Sequence, residues 1–292
     1  MDPRILDRLR CPICGEPLAE ATAGTTSALR CPRRHSFDIA RQGYVNLLAG
    51  RAPHVGDSAE MVAARADFLA AGHYDHISAA LSTAATEAAG RRHASPTPDF
   101  GAYPLVVDAG AGTGRYLGAV LAALPDAVGL ALDVSKPALR RAARAHSRAA
   151  AALADTWQRL PLADASTAVL LNVFAPRNGP EFHRVLDPAG TLLVVTPDTD
   201  HLAELVDALD LLRVDPDKAD RVAGSLGEHF TPVSSTVHRA ELALTRPEVA
   251  TLVGMGPSAW HTDPAALATR LAALPDPVRV TVAVRLDVLR PR

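Results

Sequence analysis

Two sets of residues have the types and spacing to do chemistry. The first is Cys11-Pro-Ile-Cys14 followed by Cys31-Pro-Arg-Arg-His35, which uses all three cysteines of the chain. A C-x2-C pair and a C-x3-H pair joined by a loop can place three thiolates and an imidazole around a tetrahedral zinc ion. Four protein ligands leave no open coordination position, so the ion is structural. A disulfide with one thiol left over is the competing reading, and the clustering of the cysteines favours the metal. The second set is Asp108, Gly110, Gly112 and Gly114, with Thr113 inside the loop and the apolar run Leu105-Val106-Val107 before it. Alternating glycines permit positive φ and a close approach of backbone N–H groups to a ligand. A helical pattern from Arg115 to Leu124 follows at once, so the loop sits where exposed helix N–H groups collect. Strand, glycine loop and helix together make a nucleotide-type site. A glycine-rich turn with no ligand is the bland alternative.

Spacing separates the nucleotides. A G-x-G-x-x-G dinucleotide fingerprint begun at Gly110 requires glycine or alanine where this chain has Arg115. The observed D-x-G-x-G-x-G instead resembles motif I of the class I S-adenosylmethionine (SAM) methyltransferases. The elements that must position it alternate strand and helix, the pattern of an α/β, Rossmann-like, doubly wound sheet. Strand two, Val128 to Asp133, ends on an acid placed to accept hydrogen bonds from both ribose hydroxyls. Strand three, near Ala149 to Ala154, ends at Asp155, where a carboxylate meets the adenine amino group. Either acid alone reads equally as a helix cap. Strand four, Ala168 to Phe174, runs into Ala175-Pro176-Arg177-Asn178, and its C-terminal edge faces the methyl group in this architecture. That makes Asn172, Phe174 and Pro176 candidates for positioning the substrate. Trp260 is a further stacking candidate, although it and Phe174 read equally as core. A helix over 181–186 and a turn at Asp187-Pro188-Ala189-Gly190 lead to strand five, Thr191 to Thr196. His201 begins the next helix. Strands over 235–244 and 279–289, with helices near 246–252 and 264–273, complete the sheet with two antiparallel edge strands.

The 292 residues suffice for one catalytic domain and a small accessory one. No apolar run reaches a membrane span, and Met1-Asp2-Pro3-Arg4 lacks the apolar core of a signal peptide, so a cytoplasmic protein is expected. The net charge of −2 argues against a chain that binds nucleic acid over its whole surface. Residues 1–55 nevertheless carry eight Arg against five Asp/Glu, compatible with RNA docking at that end. Arg33, Arg34, Arg41 and Arg51 are candidate phosphate contacts, and solvated surface arginines are the equal alternative. The division expected is a zinc-binding RNA-recognition module over 1–50, a helical connector over 51–104 and a SAM-dependent methyltransferase domain over 105–292. In the connector, Asp57 or Ser58 caps a helix carrying Met61, Ala64, Phe68 and Leu69, and a second helix runs over 75–89. By pattern alone Tyr74 is core packing and His201 an incidental polar residue.

Several strings carry a fuller resemblance: 35–48 (HSFDIARQGYVNLL), 56–61 (GDSAEM), 71–74 (AGHY), 132–136 (LDVSK), 174–176 (FAP) and 255–260 (MGPSAW). Together with the cysteine pattern, the chain resembles the RlmA family of 23S ribosomal RNA guanine-N1-methyltransferases over nearly its whole length. Residues 172–178 and 191–197 are most similar to the tylosin-resistance branch from Gram-positive bacteria. The resemblance implies zinc on Cys11, Cys14, Cys31 and His35. It also implies SAM contacts from Tyr74, from the glycine loop through Tyr116 and Leu117, and from His201. A 23S RNA hairpin as partner and a homodimer follow from the resemblance alone, as does macrolide resistance. One departure is Asp187-Pro-Ala-Gly190, where methyltransferases often carry Lys-Pro-Gly-Gly. The rival readings are a methyltransferase acting on another RNA base or on a small molecule, and a non-catalytic zinc RNA-binding protein with a vestigial core.

Overall fold

The computed structural model describes residues 1–23, 26–50, 55–92, 103–212, 224–256 and 263–292. Arg51, Trp260 and Gly24, which with Gly15 suits the turns of the small zinc module, lie outside them. Helix α1 (Pro3–Leu6) precedes a three-stranded antiparallel sheet of β1 (Ala19–Ala23), β2 (Thr26–Arg30) and β3 (Ser36–Asp38). Next comes β4 (Tyr44–Asn46), within the span expected for this small module. Val45 bridges Ile39 there, and β4 also lies parallel to Ala151–Leu153 as the edge strand of the large sheet.

Helix α2 (Ala59–Ala70) begins where Ser58 accepts a hydrogen bond from the Met61 amide, and α3 (Asp75–Arg92) follows after a short turn. The doubly wound part then runs β5 (Leu105–Ala109), α4 (Arg115–Ala123), β6 (Val128–Asp133), α5 (Lys136–Ala142), β7 (Ala149–Leu153), β8 (Thr167–Val173), α6 (Gly179–Val185) and β9 (Leu186–Pro197). Helix α7 (Ala203–Leu209), β10 (Phe230–Leu244), α8 (Arg246–Gly254), α9 (Pro264–Ala273) and β11 (Val278–Pro291) follow.

The large sheet has the order β10-β11-β9-β8-β5-β6-β7-β4. From β9 to β4 the strands are parallel, and β11 runs antiparallel between β9 and β10. Strand order reverses at β5, flanked by β8 on one side and β6 on the other. Ligands of open α/β sheets bind in the crevice outside such a switch point, so the topology puts the site above β5.

All five residues of β5 are buried, as a strand covered on both faces requires. Val106 faces a layer that includes Leu117, Val120 and Leu121 of α4, Leu81 of α3 and Leu252 of α8. Leu105 and Val107 face the opposite layer, where Phe182 of α6 packs with Ile5, Leu9, Leu29 and Phe37 of the N-terminal module. Cys11 and Cys31 belong to this second layer, so the small sheet and the large one share a core. The fully buried Leu117 anchors α4, and Leu117→Ala is expected to cost about 2–5 kcal/mol.

The expected turn at Asp187–Gly190 is a bulge within β9. Pairing with β8 jumps from Thr167–Leu186 to Val169–Thr191, and the Asp187 carboxylate caps the excursion by accepting from the Ala189 amide at 2.8 Å.

Candidate active site

The metal centre is built by two tight turns. Gly15, at φ 75°, lets its amide donate to the Cys11 carbonyl at 2.8 Å, and the Arg34 amide donates to the Cys31 carbonyl at 2.9 Å. These turns bring the four ligand atoms of Cys11, Cys14, Cys31 and His35 within 4.8 Å of one another. His35 Nδ1 lies 3.5 Å from Cys11 Sγ and 3.4 Å from Cys31 Sγ, and Cys14 Sγ lies 3.7 Å from Cys31 Sγ. Zinc bonds of about 2.3 Å to sulfur and about 2.0 Å to nitrogen give tetrahedral edges of roughly 3.5–3.8 Å. These three edges have the dimensions of a closed Cys3His zinc site, and the cysteines form no disulfide.

At the switch point the backbone is shaped by three glycines with positive φ: Gly110 at 83°, Gly112 at 53° and Gly114 at 77°. A Cβ at Gly110 would lie 2.4 Å from the Ala175 Cβ, and one at Gly114 would lie 2.9 Å from the Ala142 Cα. The loop is tied to β6 through the Gly110 and Ala111 amides, which donate to the Leu132 carbonyl at 2.9 and 3.0 Å. The Gly112 amide donates to Asp133 Oδ2 and the Ser135 amide to Asp133 Oδ1, both at 2.8 Å. Asp133 thus braces the loop while its carboxylate stays at the lip of the crevice. Burial raises its pKa, opposed by the Ser135 and Gly112 amides.

Beneath the loop, Asp108 is buried and neither carboxylate oxygen has a hydrogen-bond partner. Burial pushes its pKa up to about 7, reinforced by the Asp133 charge; the Leu117 amide offsets this in part without reaching hydrogen-bond geometry. An unpartnered buried acid under a cradle that admits no side chain fits a cationic ligand group. That is the chemistry of the SAM ammonium and sulfonium.

Asp155 is also buried at the end of β7, and its Oδ1 accepts from the Trp157 amide at 3.0 Å. On the other side, Tyr74 leaves the turn between α2 and α3 and meets Phe174 and His201, with ring centroids 6.4 and 6.3 Å away. Phe174 and His201 are 6.1 Å apart. His201 Nδ1 accepts from the Ala283 amide at 3.3 Å, which puts the neutral ring's proton on Nε2. Burial raises the hydroxyl pKa of both Tyr74 and Tyr116, so both stay neutral. The residues expected at one site from Tyr74 to His201 therefore gather around the ends of β5, β6, β7 and β8, with Thr113, Tyr116 and Leu117 on the loop and the first turn of α4.

The β8 rim has its own geometry. Asn172 is fully buried, and its amide donates to the Ala109 carbonyl at 3.1 Å and the Pro176 carbonyl at 2.8 Å. Both N–H groups hold backbone, so Asn172 positions the rim, and Oδ1 is the atom left unpartnered. Phe174 has φ 53° and is 40% exposed, turned out beside the cradle rather than into the core.

Sequence reasoning missed the clasp over the loop. Asp57 pairs with Arg65 of α2, whose Nη2 donates to the Met255 carbonyl at 2.7 Å. The Asp57 carbonyl accepts from Ser135 Oγ at 2.8 Å, and a Cβ at Gly56 would lie 2.8 Å from the Ser135 amide nitrogen. The string 56–61 was the available signal, but nothing in it names Arg65. Arg115, read for what it excludes, ion-pairs with Asp75 of α3 at 2.6 Å and so helps to hold Tyr74 near the loop.

The strand order, the switch-point cradle and the antiparallel β10–β11 end define a class I SAM-dependent methyltransferase carrying an N-terminal zinc site. A family model for the RlmA N-terminal zinc ribbon matches residues 9–52. The whole chain is 70% identical to a Micromonospora griseorubida protein bearing the name of a 23S rRNA (guanine-N1-)-methyltransferase, with 100% of each chain covered, and 50% identical to the 23S rRNA (guanine(748)-N1)-methyltransferase of Streptomyces fradiae, covering 100% of this chain and 99% of that one. It is 29% identical to YxjB of Bacillus subtilis (strain 168), covering 96% and 95%. The chain belongs to the RlmA family of 23S rRNA guanine-N1-methyltransferases.

Proposed function

We propose that the chain methylates N1 of a guanine in 23S ribosomal RNA, of the guanine-748 type, and thereby protects against tylosin-like macrolides. The observation that carries the reading is the end-to-end correspondence with the Streptomyces fradiae enzyme, in a chain whose cradle is intact. SAM, when bound, supplies an electrophilic methyl group on a sulfonium. What this chain adds is position and desolvation. Asp108 would hold the methionyl ammonium, the Gly110–Gly114 backbone the amino-acid end, Asp133 the ribose hydroxyls and Asp155 the adenine amino group. Tyr74, Tyr116, Leu117 and His201 wall the pocket. Guanine N1 lies on the Watson–Crick edge, so the base must be unpaired or flipped to reach the methyl group. The exposed Phe174 ring is placed to stack on it, with the Pro176 rim held by Asn172 and Trp260 as a further stacking candidate.

In this reading residues 1–50 recognise an RNA hairpin, 51–104 connect, 105–292 catalyse, and two copies associate as a homodimer. No helix among the described residues is long and apolar enough to cross a membrane, and we place the protein in the cytoplasm, where its substrate is made. Labelled SAM with 23S rRNA transcripts, followed by primer extension, tests the reading. A new stop at one guanine is expected, because N1 methylation blocks pairing; label confined to protein or small molecules refutes it.

A further inference from the structure

Between Asp133 and Asp155 the chain carries five cations, Lys136, Arg140, Arg141, Arg144 and Arg148, and no acid. Arg148 is spent on the structure, donating to the Leu124 carbonyl at 2.8 Å and to the Leu121 and Ala127 carbonyls. The other four are exposed and have no hydrogen-bonding or ion-pairing side-chain partner among the described residues. Helix α5 buries Ala138, Leu139 and Ala142, which turns Lys136 and Arg140 to the opposite side. Arg144 continues the i, i+4, i+8 row just past the helix end, and Arg141 flanks it. At 1.5 Å per residue the row is roughly 12 Å long.

Helix stability accounts for only part of this row. Arg140 and Arg141 stand in the last turn, where the helix dipole favours cations, but Lys136 stands in the first turn, the end the dipole already makes positive, and like charges at i, i+4 weaken a helix. The row also has a definite place. Its upper end adjoins Asp133 and Ser135 at the lip of the cofactor crevice. Its lower end touches the N-terminal module, where a Cβ on Gly43 would lie 3.5 Å from the Ala143 Cβ. Arg41, two residues before Gly43 in the same turn, is exposed and also without an ion-pair partner among the described residues.

We infer that the outer face of α5, from Lys136 through Arg140 and Arg141 to Arg144, is a docking surface for the phosphate backbone of the substrate RNA, linking the cofactor crevice to the Arg41 turn. The inference rests on the RNA reading of the active site. A row of exposed cations without an ion-pair partner among the described residues, and with no acid in the chain between Asp133 and Asp155, matches a polyanion, and phosphate contacts of this kind orient a nucleic acid without reading its bases.

The test is the full-length zinc-loaded protein carrying K136Q, R140Q, R141Q and R144Q together. All four side chains are exposed, so zinc content, melting temperature and SAM affinity should match the parent. With a 23S rRNA transcript, KM is expected to rise at least tenfold with kcat within about twofold. The slope of log affinity against log salt should become shallower by roughly three, at 0.7–0.9 per lost phosphate contact. An unchanged KM and salt slope would overturn the inference, as would a loss confined to kcat. Failure of the parent to methylate the transcript would instead sink the activity reading; the salt slopes of parent and variant binding would still decide the surface.

Discussion

The zinc ribbon and the cofactor cradle are both short glycine-bearing turns, yet they hold their ligands by opposite means. In the ribbon, four side chains do the work and the backbone serves to aim them. In the cradle the backbone does the work, and side chains matter chiefly by being absent from Gly110, Gly112 and Gly114. The ribbon should therefore fail when atoms are removed, and the cradle when atoms are added. The two are mechanically joined, because Cys11 and Cys31 pack into the layer that also covers Leu105 and Val107 of β5.

The largest effect that would break this contrast is expected at Gly110. Gly110→Ala adds one methyl group at φ 83° and 2.4 Å from Ala175, so the loop or the β8 rim must move. SAM affinity by calorimetry and RNA methylation should each fall by at least roughly tenfold, because a backbone strain of about 1–2 kcal/mol adds to the displacement of the Ala175 rim. A fully active Gly110→Ala protein would show that the cradle is not made by exclusion.

Cys14→Ser tests the other arm. Zinc content should fall from one per chain toward none, with several kcal/mol of stability lost and a melting temperature lower by roughly 10 °C. Because the ribbon shares its core with the sheet, the melt should shift as one transition rather than split in two.

Asp108 sharpens the comparison, since here the cradle does use a side chain. Its folded pKa of about 7 lies above the ordinary 3.8, so its contribution to stability is complete below pH 4 and is lost as pH rises through 7. The loss is on the order of 4 kcal/mol at full ionisation. The cofactor-free protein should thus be more stable near pH 5.5 than near pH 8, by more than Asp108→Asn is. Saturating SAM should recover the difference at pH 8, and parallel pH profiles for the two proteins would refute this role. The smallest effect belongs to Arg65→Met, which opens the clasp to Asp57 and Met255. Both members of the Asp57 pair are partly exposed, so the SAM Kd should rise by only about three- to tenfold.

These sites differed in how legible they were beforehand. The ribbon ligands could be read directly, because tetrahedral coordination demands particular residue types at particular spacings. The cradle was legible for the same kind of reason, and β6 runs over Val128–Asp133 as its apolar run suggested. Strand β4 was not: three residues at Tyr44–Asn46 have no period of their own, and their pairing with β7 is a long-range choice. The bulge at Asp187–Gly190 resembled a turn because Asp, Pro and Gly have the same local chemistry in both. Asn172 was legible as a candidate to orient a base edge, but its double tie to the Ala109 and Pro176 carbonyls, which engages both N–H groups and leaves Oδ1 without a partner, was not. The role of Arg65 was not legible, since Met255 is brought to it by tertiary packing alone and the nearby Asp57 gives no sign of the pairing by itself.

The central claim is that one cradle presents the SAM methyl group to one guanine edge, and mapping the product tests it most directly. After incubation of 23S rRNA transcript with labelled SAM, nucleoside analysis should give 1-methylguanosine as the labelled product, with a single primer-extension stop beside the modified base. Label on any other nucleoside, or no label in RNA while SAM still binds, would contradict the account.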